Sequence, residues 1–329
     1  MPNTSGFSLN DDNDFIYGLG WRTIETDMTN TDSIQFYPED KRQHLFNAFL
    51  QNTTALNERL SLMLGSKFEH NDMSGFEIQP SLRLNYLLGD DSQLWFSVSR
   101  AVRTPSLVEH DINVRNTVSA GGGLLGAAWL RGDDDSVSEE VISWETGFRS
   151  QLTEDWAIDI AVFYNEYDKL GSFQDTGPNP LELEHEDTDT AESYGVELQS
   201  IDDISEDWDV TFSYTYFKQV IHGTNRGTSK SSKDYYPHNM FNILSNYKIT
   251  DSLSFHTALY YYDRVNTFDI PSYIKLDAGF IWEVNDQMEL QVWGKNLLEP
   301  SHREFRDDLF EDEPHQIERS AYVQFTYRF

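Results

Sequence analysis

The sequence predicts an all-β protein, an antiparallel transmembrane β-barrel meander of roughly fourteen strands. Three observations carry this. Apolar and polar residues alternate with a period of two over segments of about twelve to fifteen residues, whereas strands of soluble proteins run about five or six. The connections alternate between tight turns and long loops, the asymmetry of barrels whose turns lie on one side of a membrane and whose loops lie on the other. The chain also ends inside such a segment. In Ile317–Phe329, Ala321, Val323, Phe325, Tyr327 and Phe329 share one face, and Ser320, Tyr322, Gln324, Thr326 and Arg328 share the other. Termini usually fray into solvent, so an aromatic final residue on the apolar face of a strand is a signal in itself.

The elements follow in order. Asp14–Glu25 sets Phe15, Tyr17, Leu19 and Trp21 on one face; the polar stretch Thr26–Arg42 follows it. Gln43–Ala55 and Glu58–His70 are separated only by Leu56 and Asn57. The next strand sets Phe76, Ile78, Leu82, Leu84 and Tyr86 apart from Glu77, Gln79, Ser81, Arg83 and Asn85, and Ser92–Val102 keeps Leu94, Phe96 and Val98 in phase. Arg103–Ser136 reads as a long loop, with glycines at Gly121–Gly123 and aspartates at Asp133–Asp135. Val137–Gln151 resumes the pattern, and Thr153–Asp155 turns into Trp156, Ile158, Ile160, Val162 and Tyr164. Leu170–Asp189 reads as another loop. Thr190–Asp203 and Asp207–Ile221 pair next, the latter with Trp208, Val210, Phe212, Tyr214 and Tyr216 in one stripe. A third loop, His222–Tyr236, precedes His238–Thr250, Ser252–Val265, Pro271–Val284 and Gln287–Leu298; the acidic loop Glu299–Gln316 leads to the last strand. Trp21, Trp144, Trp156, Trp208 and Trp282 fall near strand ends, where an aromatic girdle meets the bilayer surface. Arg22, Arg83, Glu145, Arg149, Glu197, Lys275, Asp277 and Arg328 fall on the polar face, which would line a wet lumen.

Composition narrows the functions. The 329 residues carry a net charge of −32, which argues against nucleic acid as a partner, because that needs a basic face. There is no cysteine, hence no disulfide framework and no cysteine-bound metal. Mean hydropathy is −0.58, and no apolar run is long enough for a membrane helix; strands that are only half apolar evade that test. Met1–Asp14 has neither a basic n-region nor an apolar h-region and so does not read as a signal peptide. The motifs of phosphate loops, zinc proteases and serine nucleophile elbows are missing, so no catalytic residue, metal or cofactor is assigned and the chain is not read as an enzyme. The acidic clusters at Asp133–Asp135, Glu182–Asp189 and Asp307–Glu313 lack calcium-loop spacing and read as solvated loops.

Several phrases on these strands resemble TonB-dependent outer-membrane receptors. They are Leu94-Trp95-Phe96-Ser97-Val98-Ser99-Arg100-Ala101-Val102-Arg103-Thr104-Pro105-Ser106; Gly65-Ser66-Lys67-Phe68-Glu69-His70-Asn71 with Gln79-Pro80-Ser81; Trp144-Glu145-Thr146-Gly147-Phe148; Tyr194-Gly195-Val196-Glu197-Leu198; and Gly294-Lys295-Asn296-Leu297-Leu298 followed by His302-Arg303-Glu304-Phe305. The resemblance implies part of a 22-stranded barrel, with residues 1–329 as its C-terminal portion and no plug domain in this stretch. It implies the outer membrane of a Gram-negative bacterium, with lipid and lipopolysaccharide around the barrel. The expected partners are the TonB system, reached through a missing N-terminal part, and a small-molecule ligand, most often a ferric siderophore or similar iron chelate. Phe325, Tyr327 and Phe329 resemble the signal read by the barrel-assembly machinery. A self-contained, 14-stranded passive pore is the alternative.

Ligand is expected on the long-loop side, since binding residues concentrate on loops held by a rigid scaffold. Arg103–Ser136 is the largest loop and brings Arg103, His110, Arg115, Trp129 and Arg131 into an acidic chain. Arginine pairs with carboxylate or phenolate oxygens, and tryptophan stacks on flat rings, which suits an anionic, partly apolar chelate. The alternative for these residues is a mobile loop whose cations balance its own aspartates or meet lipopolysaccharide phosphates.

Overall fold

The computed structural model describes residues 3–10, 12–120, 123–175, 181–223, 235–305 and 316–329. Its strands are β1 (Asn3–Asn10), β2 (Asn13–Asp27), β3 (Ile34–Phe36), β4 (Asp40–Ala55), β5 (Leu60–Asn71), β6 (Gly75–Leu87) and β7 (Ser92–Arg103). A short helix, α1 (Leu107–Asp111), precedes β8 (Ile112–Ala120) and β9 (Gly123–Arg131). The chain continues through β10 (Glu139–Gln151), β11 (Trp156–Asp175), β12 (Leu181–Ser205), β13 (Trp208–His222), β14 (Asn239–Thr250) and β15 (Leu253–Tyr262). It closes with β16 (Tyr273–Asn285), β17 (Met288–Lys295), β18 (Ser301–Arg303), β19 (Gln316–Glu318) and β20 (Ser320–Tyr327). One sheet holds eighteen strands. Without the short β3 and the hairpin β8–β9, every member pairs antiparallel with the next, from β1–β2 to β17–β20.

The expected meander is therefore present, with one strand more than the fourteen read from the sequence. The addition is β1, which pairs with β2 from Asn3↔Leu19 to Asn10↔Asn13. Its stretch is polar enough to hide the alternation. Among the described residues, β1 and β20 pair on one side only, so the sheet is open.

Register decides which side chains share a face. Trp144 lies opposite Val98 and Tyr164, Phe148 opposite Leu94 and Ile160, and Val162 opposite Thr146 and Val196. These apolar stripes face away from any protein interior. Trp156 is 41 % exposed and Val162 45 %, while the buried hydrophobics among the described residues are only Ala191, Val265 and Ile270. A water-soluble domain of this length would bury a large apolar core; an exposed apolar belt of this extent needs lipid against it. Trp156, Trp208 and Trp282 form a row at the tight-turn end. The indole N–H groups of the first two donate to Ser200 Oγ at 2.8 Å and Ser245 Oγ at 2.9 Å.

The opposite face is polar and paired. Arg149 bonds its cross-strand partner Asp159, Arg83 lies over the Trp95 ring at 4.6 Å, and Lys275 lies over Tyr260 at 4.7 Å. Asp277 accepts from Asn296 N at 2.9 Å, and Arg328 reaches Glu289 at 3.3 Å. A cavity of 480 Å³ on this face is lined by Glu145, Asp159, Ala161, Phe163 and Glu197 among others. Inward aromatics also cover glycines on the neighbouring strand: Trp95 lies over Gly147, Phe163 over Gly195 and Trp293 over Gly279. Bare backbone lets rings lie flat on the sheet, which fills the lumen wall and restores packing that glycine forfeits.

Three loop expectations are corrected. Arg103–Ser136 is not an irregular loop: it folds into α1 and the hairpin β8–β9. Leu170–Asp189 is largely strand, because β11 runs to Asp175 and β12 begins at Leu181. Within the loop Glu299–Gln316, β18 pairs with β19 from Ser301↔Glu318 to Arg303↔Gln316. Backbone groups left unpaired beyond the barrel rim find partners in one another. Asp307–Glu313, Gly121 and Gly122 lie outside the described residues.

Candidate ligand-binding site

The long-loop end of the sheet carries a second, smaller layer. β8 pairs with β3 at Ile34↔Val114 and with β9 at Arg115↔Trp129. β9 in turn runs parallel to the start of β12, from Leu181↔Ala128 to Glu184↔Arg131. Three connections distant in sequence thus become one continuous piece of sheet. Parallel pairing has no local turn to specify it, so it could not be read from the sequence.

Two ionic clamps tie this layer to the barrel. Arg103, the last residue of β7, reaches its cross-strand partner Glu139 through Nε at 2.7 Å and Nη2 at 2.6 Å. The same guanidinium donates to Glu109 on α1 at 3.0 and 2.6 Å. Glu109 closes a capping box as well: Ser106 N donates to its carboxylate at 2.7 Å, and Glu109 N donates to Ser106 Oγ at 3.3 Å. Burial pushes the Glu109 carboxyl up, but the bonds from Arg103 and Ser106 outweigh it and bring it down to about 2. At the other end of α1, Lys41 on β4 donates to Asp111 at 2.8 and 2.6 Å, and His110 Nδ1 lies 2.7 Å from the same carboxylate. Asp111 is 8 % exposed, so this pair is held away from water, where losing either partner costs most.

Of the five residues singled out in the sequence, Arg103 and His110 therefore sit at the root of the layer, with the Arg103 guanidinium and His110 Nδ1 engaged. Arg115, Trp129 and Arg131 come together on its face. The Arg115 guanidinium lies 5.4 Å from the Trp129 ring centroid, and the Arg131 guanidinium lies 5.1 Å from it. Arg115 is exposed and has no carboxylate partner among the described residues. Arg131 reaches Glu182 on β12 at 3.3 Å, and its Nε is buried without a partner. An indole with two guanidinium groups against it combines an apolar ring with anion-binding donors in one place, each cation held by the ring quadrupole.

Sequence reasoning missed Glu182, which it placed in a solvated acidic run. The parallel register with β9 sets it against Arg131, where its carboxylate is an internal competitor for any anion. It also missed the way the layer returns to the barrel. His185, 2 % exposed, has Nδ1 at 3.1 Å from Ser136 Oγ, and Asp187 accepts from Val137 N at 2.8 Å. Burial pushes the Asp187 carboxyl up. Asp133, Asp134 and Asp135 bring carboxylate oxygens within 4.8 Å of one another, with no acid or histidine from another element joining them among the described residues; the cluster is a turn facing solvent.

Comparison with known proteins places this architecture. The family described as TonB dependent receptor-like, beta-barrel matches residues 2–297. The chain belongs to that family. Its barrels are outer-membrane proteins of Gram-negative bacteria, and its members are transport receptors rather than enzymes. The long-loop end of the sheet is accordingly extracellular and the tight-turn end periplasmic. The chain is 29 % identical over 129 residues to the ferrienterobactin receptor of Escherichia coli, a match that covers 38 % of this chain and 17 % of that one. It is 24 % identical over 286 residues to the iron-regulated outer membrane virulence protein of Vibrio cholerae, covering 78 % of this chain and 42 % of that one. Among solved structures, a ferric enterobactin receptor (PfeA) mutant from Pseudomonas aeruginosa superposes with a TM-score of 0.78 at 18 % identity. That match covers 98 % of this chain and 53 % of the receptor. The siderophore receptor PirA of the same organism gives 0.75 at 16 % identity, over 99 % and 56 %. This receptor barrel spans about half the length of those structures, and less than half of the curated relatives.

Proposed function

We propose that this chain is the barrel portion of an outer-membrane receptor for TonB-dependent uptake of a ferric chelate, and that the ligand binds on the β8–β9 hairpin. The observation that carries the reading is the Trp129 ring with the Arg115 and Arg131 guanidinium groups against it. Chelates with phenolate or carboxylate oxygens and flat rings match both halves of that surface: guanidinium forks pair with the oxygens, and indole stacks on the rings. The clamps at Arg103 and Asp111 support it by fixing the hairpin before ligand arrives, which lowers the cost of ordering it. The names of the relatives, which refer to ferric enterobactin, siderophores and iron regulation, favour an iron chelate over cobalamin or sugars. TonB is the partner that the family implies. Phe325 and Tyr327, 59 % and 45 % exposed on the lipid face of β20, and Phe329 beyond it suit recognition by the barrel-assembly machinery. A self-contained pore would need β1 to pair with β20, and among the described residues β1 pairs only with β2 and β20 only with β17.

The test replaces Arg115, Trp129 and Arg131 together by alanine in the receptor as cells make it. Surface binding of a labelled ferric catecholate, a ferric hydroxamate and cobalamin is then measured. Each charge-assisted contact is worth about 1.5–3 kcal/mol, so binding of the chelate the receptor takes up should fall at least about tenfold at unchanged abundance. Unchanged binding would remove the hairpin from the site.

A further inference from the structure

The two arginines beside Trp129 are not equivalent. Arg115 is exposed and has no carboxylate partner among the described residues, whereas Arg131 Nη1 lies 3.3 Å from Glu182 Oε1. Register makes the difference. β8 and β9 set Asn113 opposite Arg131 and Arg115 opposite Trp129. The start of β12 runs parallel to β9, with Glu182 beside Trp129 and Glu184 beside Arg131. Residues two apart on a strand share a face, so both glutamates stand on the face that carries the indole and the guanidinium groups. His185, on the other face of β12, is 2 % exposed. Arg115 and Arg131 are thus matched on the binding face by Glu182 and Glu184, and an arriving anion meets a surface with no net charge.

The Arg131–Glu182 pair has the geometry of a contact that can be exchanged. A full-strength arginine–carboxylate pair is a fork of two bonds at about 2.7–2.9 Å. Arg103 makes such a fork with Glu139, at 2.7 and 2.6 Å. Glu182 approaches Arg131 no closer than 3.3 Å, and Arg131 Nε is buried without an acceptor. The two side chains are 39 % and 30 % exposed, so water reaches the pair and screens it. Arg131 is held loosely, with donor capacity that Glu182 leaves unused.

We propose that Glu182 is a built-in displacer of the ligand: it holds Arg131 in the empty receptor, yields it to an anionic chelate, and takes it back as the chelate leaves. This rests on the reading that the β8–β9 hairpin binds the ligand. Arg115, with no carboxylate to lose, takes the first ligand oxygens. Arg131 follows when Glu182 gives way. Departure of the chelate then leaves no bare guanidinium behind, because one anion replaces another on the same cation. A transport receptor must release what it captures, and affinity differences within one interface lie mostly in dissociation. The exchange also defines the ligand by charge. A ferric complex that keeps net negative charge competes for Arg131; a neutral ferric hydroxamate or cobalamin has nothing to offer in place of the carboxylate. The chelate this receptor takes is therefore an anion.

The experiment loads the receptor, as cells make it, in outer-membrane preparations with radioactive iron. The probes are a trianionic ferric tris-catecholate, an anionic ferric citrate, a neutral ferric hydroxamate and labelled cobalamin. Release is followed after an excess of unlabelled probe is added. For the anionic chelate that binds, Glu182→Gln should slow release about two- to fivefold, the range covered by a part-exposed ion pair. In Arg131→Ala the same substitution should leave release unchanged, because there is no cation left to compete for. A carboxylate that merely repelled the ligand would affect release equally with and without Arg131. Unchanged or faster release in Glu182→Gln, or equal slowing in the Arg131→Ala background, overturns the displacer; so does tightest binding of the neutral hydroxamate or cobalamin. Those results leave the hairpin as the binding site if replacing Arg115, Trp129 and Arg131 together still abolishes binding. Unchanged binding in that triple variant removes both.

Discussion

Val162→Arg is expected to destabilise the barrel by about 2–4 kcal/mol, the usual effect of a cationic side chain on the lipid face at mid-membrane. Val162 stands above the girdle residue Trp156 on β11, and at about 3.3 Å per residue with a tilt near 40° it lies about 15 Å into the membrane. Its cross-strand neighbours Thr146 and Val196 face the same way. The adjacent Ala161 points into the inward cavity with Glu145, Asp159 and Glu197. Ala161→Arg puts the same charge one residue away among three carboxylates, and its effect should stay within about 1 kcal/mol. Urea unfolding of the two variants in detergent micelles or lipid vesicles compares them directly. A soluble sandwich with the apolar stripe inside would also reject Val162→Arg; it would not need lipid or detergent to remain folded, and this barrel should.

Gly147→Ala should have the next largest effect. A Cβ there would lie 2.6 Å from the Trp95 indole and 2.7 Å from the Ile160 carbonyl oxygen. The ring can turn away, but the carbonyl belongs to the β10–β11 ladder and cannot move without opening it. Overpacking of this kind costs about 1–3 kcal/mol. Removing the ring with Trp95→Ala in the same chain should recover only part of the loss, since the backbone contact remains. The midpoint of heat-induced unfolding, followed by gel mobility, reads both variants against the unmodified receptor. Full recovery in the double variant would mean that the indole alone, and not the close approach of β11, demands glycine.

Much of the barrel was legible because period two maps directly onto its two faces. Trp156, Ile158, Ile160 and Val162 could be assigned to lipid, and Arg149 and Asp159 to the lumen, before any register was known. The extracellular layer was legible only in part. Ile112, Val114 and Val118 do alternate with Asn113, Arg115 and Thr117, but the glycines that follow read as loop. In Leu181–Asp187 the alternation of Leu181 and Leu183 with Glu182 and Glu184 is masked by charge. What could not be read was pairing across distance. Lys41 with Asp111 and Arg131 with Glu182 depend on which elements lie side by side, and no local spacing encodes that. Residue type and loop membership were enough to bring Arg115, Trp129 and Arg131 forward together. They could not separate those three from Arg103 and His110, whose carboxylate partners lie partly on other elements.

The most direct measurement uses the absence of cysteine from these 329 residues. Ser33 is exposed, and its carbonyl accepts from Arg115 N at 2.8 Å, so a thiol there reports on the binding face without altering it. With Ser33→Cys in the receptor, a membrane-impermeant maleimide should label intact cells, and a saturating ferric chelate that the receptor takes up should slow that labelling. Labelling only after the cells are broken, or labelling that the saturating chelate leaves unchanged, would contradict an extracellular hairpin that binds the ligand.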